Sequence, residues 1–315
     1  MSTQPLKKVC LVGANGNVGA PLLSALEADG NFEVSVLRRS NSSSSKTKTN
    51  VAEIIVSPDL TLEELTDALK GQDVVIASFP LKDVNQHLRL VEAAFRAGVR
   101  RFIPADFGSC DAASEWAQET LKLYRDKTLV REKLEKLAAS SAKDGGNFTW
   151  TAIICGHFFD FGLRSGLLHF DLEKKTAQIL DGGNTKASAS TLHRVAEATI
   201  RVLQKSQETA NRALYIQSFC LTQLELLAAL EKVTGSKWKV EDLESKSFMA
   251  REKAKADAGD HAAVEEVVYV IGTLEADWRS KADFAMQLLE LEDEDLDYVL
   301  TQVIAGHNAS HGSSV

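Results

Sequence analysis

Apolar residues in the first half of the chain gather in short runs that alternate with amphipathic stretches. Runs at Lys8–Val12, 33–37, Ala52–Val56, 73–78, 101–104 and Thr149–Ile154 are rich in Val, Ile, Leu and Phe and bounded by turn residues, the pattern of buried strands. Between them, Leu88, Val91, Ala94 and Phe95 recur at helical spacing within 84–97, and Gly98 closes that segment. Thr61 opens a second helix, 61–69, as an N-cap, with Glu64 three residues on for a capping box. Residues 21–28 and 121–137 predict two more helices. Strands alternating with helices of this length imply an α/β fold, a parallel sheet with helices on both faces. Right-handed crossovers then bring the carboxyl ends of the strands to one rim.

Beyond residue 156 the alternation loosens. The pattern predicts a hairpin at 170–180 turning at Asp181-Gly182-Gly183-Asn184, a helix at 192–203 and a strand at 213–217 that rejoins the sheet. Residues 221–305 read as mostly helical. The acidic run 290–297 reads as a solvated helix start, and the polar stretch 306–315 as a mobile tail. The expected division is therefore one domain of 1–155 with about 185–220, and a smaller, mainly helical domain of about 156–184 and 221–305.

Residues 9–19 read Val-Cys-Leu-Val-Gly-Ala-Asn-Gly-Asn-Val-Gly. An apolar strand thus runs into Gly13, Gly16 and Gly19, and a helix follows. In a dinucleotide-binding turn the first glycine permits the tight bend, the second clears space for the pyrophosphate, and the third lets helix pack on strand. Asn15, Asn17 and Val18 complete the turn, and the first N–H groups of the helix face the anion. The spacing is G-x-x-G-x-x-G, the form usual in short-chain and extended-type reductases. The second strand ends in Arg38-Arg39-Ser40. An acid at that place favours NAD, whereas arginine accommodates the 2′-phosphate of NADP, to which Arg38 offers a planar fork. Ser40, Lys46 or Lys48 can add contacts from the Ser/Lys loop that follows. Glu33 is excluded as an NAD-selecting acid because it opens the strand. The plainer alternative for Arg38 is a solvated surface arginine.

Composition narrows the class. A net charge of −8 argues against general nucleic-acid binding, and 44% hydrophobic with 25% charged residues is ordinary for a soluble globular protein. No apolar stretch approaches a membrane span, and residues 1–8 lack the apolar core of a secretory signal. Cys10, Cys110, Cys155 and Cys220 are scattered, with Cys10 and Cys155 in apolar strands, which fits buried thiols in a reducing cytoplasm. The seven histidines include no H-E-x-x-H, so no metal site is expected.

Hydride chemistry also needs a group to manage a proton. Short-chain reductases usually present Tyr-x-x-x-Lys on one helix. This chain has Tyr124-Arg-Asp-Lys127 instead, one residue short, so Tyr124 is not assigned that role. Several segments together resemble the NmrA-like atypical short-chain reductases, and among them the isoflavone reductase-like and phenylcoumaran benzylic ether reductase group. They are Gly13 to Gly19, Arg38, Gln86, the motif Arg101-Phe102-Ile103-Pro104-Ala105-Asp106-Phe107-Gly108, and Lys127-x-x-Val130-Arg131. The resemblance covers about residues 7–160 well and the remainder loosely. It implies a Rossmann-type doubly wound sheet, with NADPH held through its phosphate at Arg38 and beside Ser78, Phe79, Gln86 and Lys127. Asp59 joins this expected cofactor set. Lys127 is the implied proton-handling residue. Where the family motif reads Pro-Ser-Glu-Phe-Gly, this chain has Ala105 and Asp106, one hydroxyl and one methylene fewer.

Physically, a lysine in an apolar cleft beside an oxidised nicotinamide would have its charged form disfavoured; the alternative is a solvated helix lysine. Gly156-His157-Phe158-Phe159 closes the sixth strand. Phe158 and Phe159 are expected to wall a flat aromatic substrate, with Phe158 also near the cofactor and His157 placed to bond a substrate hydroxyl. Core packing for the phenylalanines and a structural histidine are the rival readings. The expected activity is NADPH-dependent reduction of a small aromatic or phenolic ketone, enone or benzylic ether. The alternatives are a non-catalytic NADP(H)-binding redox sensor acting through a protein partner, and a sugar-nucleotide or quinone reductase on the same fold.

Overall fold

The computed structural model describes residues 5–42 and 51–311. The elements run β1 (Lys8–Val12), α1 (Gly19–Asp29), β2 (Glu33–Arg39), β3 (Ala52–Val56), α2 (Leu62–Leu69), β4 (Val74–Ala77), α3 (Val84–Arg96), β5 (Arg101–Ile103), α4 (Glu115–Thr120), α5 (Lys122–Lys143) and β6 (Thr149–Ile154). There follow β7 (His157–Phe158), α6 (Phe159–Ser165), β8 (Phe170–Asp171), β9 (Thr176–Leu180), β10 (Ala187–Ser190), α7 (Leu192–Gln204), β11 (Arg212–Tyr215), β12 (Phe219–Leu221) and α8 (Gln223–Thr234). The chain closes with β13 (Lys239–Leu243), α9 (Ser245–Asp257), α10 (His261–Glu275) and α11 (Leu296–His311).

The chain divides into two compact units of nearly equal length. The first comprises 1–107, 122–153 and 195–214; the second comprises 108–121, 154–194 and 215–315. The expected smaller size of the second is thus corrected, because it draws in 108–121 and everything after Leu214.

In the first unit the sheet order is β11-β6-β5-β4-β1-β2-β3, and the pairings from β6 to β3 are all parallel. The chain winds outward from β1 to β3, then crosses back to β4 on the other side of β1. That reversal is the switch point of a doubly wound sheet. Helices α2, α3 and α5 cover one face through Leu65, Leu69, Leu90, Val91, Val130 and Leu134, packed with Cys10, Val75 and Phe102. At about 25 cal/mol per Å² of apolar area removed from water, such side chains are each worth about 2 kcal/mol. Thr61 caps α2 by accepting from the Glu64 amide at 3.3 Å. The expected box is only half made: the Glu64 carboxylate accepts from the Ser57 amide and hydroxyl at 2.6 and 2.5 Å. Arg101 is buried and donates only to neutral oxygens, at Thr149, Thr151, Thr209 and Ser206, and burial pulls its pKa down to about 10.

The second unit holds two small sheets, β12-β10-β7 and β13-β9-β8, with helices packed on them. The hairpin is present as antiparallel β8 and β9. Its turn is at 172–175, and 181–183 form a 3-10 turn that leads out of it. The edge strand β13, inside the stretch read as helical, pairs parallel with β9. The acids at 290–297 are a solvated helix start only in part: Asp295 is exposed and accepts from the Tyr298 amide at 2.9 Å, and Asp297 lies in the first turn of α11. Asp293 and Glu294 precede α11 and accept from Gln217, Ser218 and Thr191. Helix α11 then continues to His311, through much of the stretch expected to be a tail.

Candidate functional site

The glycine turn lies at the switch point. Gly13 has φ +93°, which only glycine adopts without strain. A Cβ there would sit 2.9 Å from the Phe79 amide nitrogen. At Gly19 a Cβ would meet the Gly13 carbonyl oxygen at 2.0 Å, so the first residue of α1 packs directly on the turn. Gly16 differs. It is exposed, and a Cβ on it would find its nearest neighbours at 3.4 and 3.5 Å, the Gly13 and Ser78 carbonyl oxygens, which are ordinary contacts. Protein packing explains the missing side chain at Gly13 and Gly19 but not at Gly16. Val18 caps α1 with no side-chain hydrogen bond, and no acid lies in its first turn. By contrast Thr61, Asp83, Thr222, Glu244 and Asp260 all cap their helices with side-chain oxygens. Asn15 and Asn17 lie exposed in the loop before α1, while the Ala20 and Leu22 amides donate to the Gly16 and Val18 carbonyls at 3.0 and 3.2 Å and Pro21 has no N–H.

Strand β2 runs to Arg39, so Arg38 lies on the last turn of the pleat and not past it. Its Nε donates to the Glu53 carboxylate of neighbouring β3 at 2.9 Å, and each side chain keeps 19% exposure. The solvated alternative for Arg38 thus gives way to a half-buried, ion-paired arginine. Arg39 and Ser40 are exposed, and the Ser40 amide donates to the Val56 carbonyl at 2.8 Å. Lys46 and Lys48 lie outside the described residues. Asp59 is exposed, and its backbone carbonyl accepts from Arg89 at 3.1 Å.

Ser78 follows β4 and donates its hydroxyl to the Val12 carbonyl at 2.9 Å, joining the ends of β4 and β1. Phe79 stacks on His87, ring centroids 4.0 Å apart and planes 20° from parallel. Gln86 precedes His87 in the first turn of α3 and is half-buried. Burial pulls the His87 pKa down to about 4, so the imidazole is neutral; its Nε2 lies 3.4 Å from the Pro80 carbonyl.

The carboxyl end of β5 carries the motif segment. The Asp106 amide donates to Pro104 at 2.8 Å, and Phe107 takes φ +30°, a strained conformation for a bulky residue. This kink turns the Asp106 side chain against α5. There Arg131 donates to Asp106 Oδ2 at 2.5 Å. Lys127 donates to the Asp106 carbonyl at 2.5 Å and lies 3.9 Å from Oδ1, a buried oxygen that makes no hydrogen bond. The lysine is 12% exposed. Its immediate partners are a carbonyl and a carboxylate, so the apolar setting expected for it is corrected. Tyr124 is buried, with its ring centroid 5.9 Å from the Lys127 ammonium.

His157, Phe158 and Phe159 belong to the second unit. His157 Nε2 lies 3.2 Å from the Tyr269 carbonyl, and burial pulls its pKa down to about 4. A Cβ on Gly272 would meet that nitrogen at 2.6 Å, so the ring is packed tightly. Phe159 is buried against Phe219, centroids 4.8 Å apart, and half-buried Phe158 precedes α6. His157, Phe159, Leu168, Phe219 and Tyr269 line an apolar cavity of about 60 Å³. A polar cavity of about 440 Å³ is lined by His169, Gln178, Glu241 and Glu266 among others. Among the described residues no group of three or more His, Cys, Asp and Glu is placed to hold a metal ion, and no helix is long and apolar enough to cross a membrane.

A family profile described as NmrA-like matches residues 5–283. The chain belongs to the NmrA-like family. A curated relative of this NmrA-like protein, oxidoreductase aprR of Aspergillus flavus, is 30% identical over 95% of the chain and 99% of its own length. The bifunctional pinoresinol-lariciresinol reductase 2 of Linum usitatissimum is 29% identical over 78% and 77%. Among solved structures, AtPrR2 with NADP+ and (+)-pinoresinol superposes with a TM-score of 0.76 at 20% identity, covering 96% of this chain and 100% of that one. The Rossmann-type sheet described above is thus the family's fold.

Four residues of this NmrA-like chain lie beside the expected site residues without being expected there themselves: Glu53, His87 and the ion-paired Asp106 and Arg131. Arg131 was the most findable, four residues after Lys127 and so on the same helix face. Glu53 and His87 carry no local signal. Each is fixed by a partner on another element.

Proposed function

We propose that the protein is an NADP(H)-dependent reductase of small aromatic or phenolic substrates. The observation that carries this is the glycine turn, in which Gly16 alone has no packing reason to lack a side chain. The dinucleotide, when bound, supplies or accepts the hydride. Gly13, Gly16 and Gly19, at the positive end of the α1 dipole, would hold its pyrophosphate, and Arg38, oriented by Glu53, its 2′-phosphate. Ser78 and Phe79, at the ends of β1 and β4, would flank the nicotinamide. Lys127 has three N–H donors and directs one at the Asp106 carbonyl. It would give or take the proton that balances hydride transfer at a carbonyl, enone or benzylic oxygen. Relatives named oxidoreductase and pinoresinol-lariciresinol reductase support the activity class, and the neighbouring structure that holds NADP+ supports the cofactor.

The test is NADPH consumption against a panel of aromatic ketones, enones and benzylic ethers, with the reduced product identified by mass. Turnover with any of them is expected. Tight binding of both NADP+ and NADPH with no turnover across the panel would favour a redox sensor instead.

A further inference from the structure

We propose that His87 is a positioning residue for the cofactor wall: its ring stacks on Phe79 and holds it against the glycine turn. This rests on the dinucleotide-binding role given above to the turn.

Phe79 is the second residue past the end of β4 and, with Ser78, touches the turn. Its amide nitrogen and Cβ lie 2.9 and 3.0 Å from where a side chain on Gly13 would begin. Its backbone is thereby fixed, but its ring is only half-buried and needs a support on its other side. The support comes from α3. The His87 ring lies nearly parallel to Phe79 at 4.0 Å. The residue is 2% exposed, a rare setting for a histidine, and burial keeps it uncharged. Asp83 and Lys127 are the charged groups felt at the ring, and they act in opposite directions. The Pro80 carbonyl, directly after Phe79, takes Nε2 as its neighbour at 3.4 Å. Ring and loop are thus held by one side chain: the imidazole face against Phe79, its edge toward Pro80.

A leucine would fill the same buried volume but offer no flat face and no N–H. A phenylalanine would restore the face. This separates positioning from simple core filling. The loop 78–80 joins the switch point directly, so freeing the Phe79 ring alters the wall of the dinucleotide site without disturbing the sheet.

The experiment is titration of NADPH into the full chain and into His87→Leu, His87→Phe, Phe79→Leu and the His87→Leu/Phe79→Leu pair, with thermal midpoints recorded alongside. The unaltered chain must first bind NADPH; if it does not, the dinucleotide reading itself fails. Given binding, His87→Leu is expected to weaken it about fivefold to tenfold and His87→Phe less than about twofold, the span of an aromatic contact. Phe79→Leu should match His87→Leu, and the pair should lose no more than either alone, because coupled residues act as a unit. Unchanged affinity in His87→Leu, or losses that simply add in the pair, would overturn the inference. Should His87→Leu fail to fold, His87→Phe decides: a tenfold loss there refutes the stacking role.

Discussion

The glycine turn of the first unit and the histidine pocket of the second are built by opposite means. In the turn, function would rest on backbone: φ at Gly13, the close approach at Gly19, the uncrowded Gly16. The contacts involved are a few residues apart or one strand away. In the pocket, function would rest on side chains from distant segments, with His157 against Tyr269 and Gly272, and Phe159 against Phe219. A site made of backbone tolerates few changes in residue type and leaves a readable pattern. A site made of packed side chains tolerates many, and its shape follows from the whole unit. The glycine spacing therefore specifies a ligand class more sharply than the pocket residues specify a substrate.

The contrast can be broken most sharply at Lys127. Lys127→Ala is expected to lower kcat/KM by about 10²–10⁴-fold, the usual worth of a positioned proton donor. Steady-state kinetics beside NADPH titration checks this; an equal loss in both would make the lysine a binding residue. Gly19→Ala should act on folding instead. Its Cβ would lie 2.0 Å from a carbonyl oxygen, so α1 must shift, at a cost of about 3 kcal/mol or more, read as a fall in Tm of several degrees. Arg38→Ala should weaken NADPH by about 10–100-fold, the loss of charge-assisted hydrogen bonds. NADH, lacking the 2′-phosphate, should change little. Parallel losses for the two cofactors would remove the phosphate role.

The last effect, spread over a range of pH, compares the units through two buried histidines. His87 and His157 both titrate near 4 in the folded chain, pulled down from 6.5 by burial. Unfolded, each takes a proton as pH falls below 6.5, while folded it does not. Stability from the neutral rings is therefore complete above pH 6.5 and is lost as pH falls toward 4, at up to about 1.4 kcal/mol per pH unit for each. Urea midpoints between pH 7 and 5 should show this slope. His87→Phe should remove the share that belongs to the first unit only.

Legibility from sequence followed the same divide. Six strands of the first sheet, the helices between them and the glycine turn stand out because hydrophobic periodicity and turn residues are local signals. The lengthened α5 and α11 were underestimated because polar residues such as Ser140 and Asn308 can extend a helix once its other face is packed. β13 was read as helix: Lys239, Glu241 and Asp242 give it little apolar alternation, and its parallel pairing with β9 holds it. The acids Asp293 and Glu294 looked solvated because their partners, Gln217 and Ser218, lie over 70 residues earlier. Arg38 and Lys127 were found by position within motifs. Their immediate partners Glu53 and Asp106 were not, since ion pairing across strands or from a loop to a helix leaves no trace in spacing. For Lys127 this changed the physical setting, from an apolar wall to a carbonyl and a carboxylate.

The measurement that bears most directly on the central claim is calorimetric titration of NADPH into the native chain and into Gly16→Ala. A methyl group at Gly16 meets only ordinary contacts in the protein, so the variant should keep its thermal midpoint. It should lose at least about tenfold in NADPH affinity, because the backbone can no longer approach the pyrophosphate. Equal affinity for the two proteins, or no heat from the native chain, would contradict the assignment of this turn to a dinucleotide.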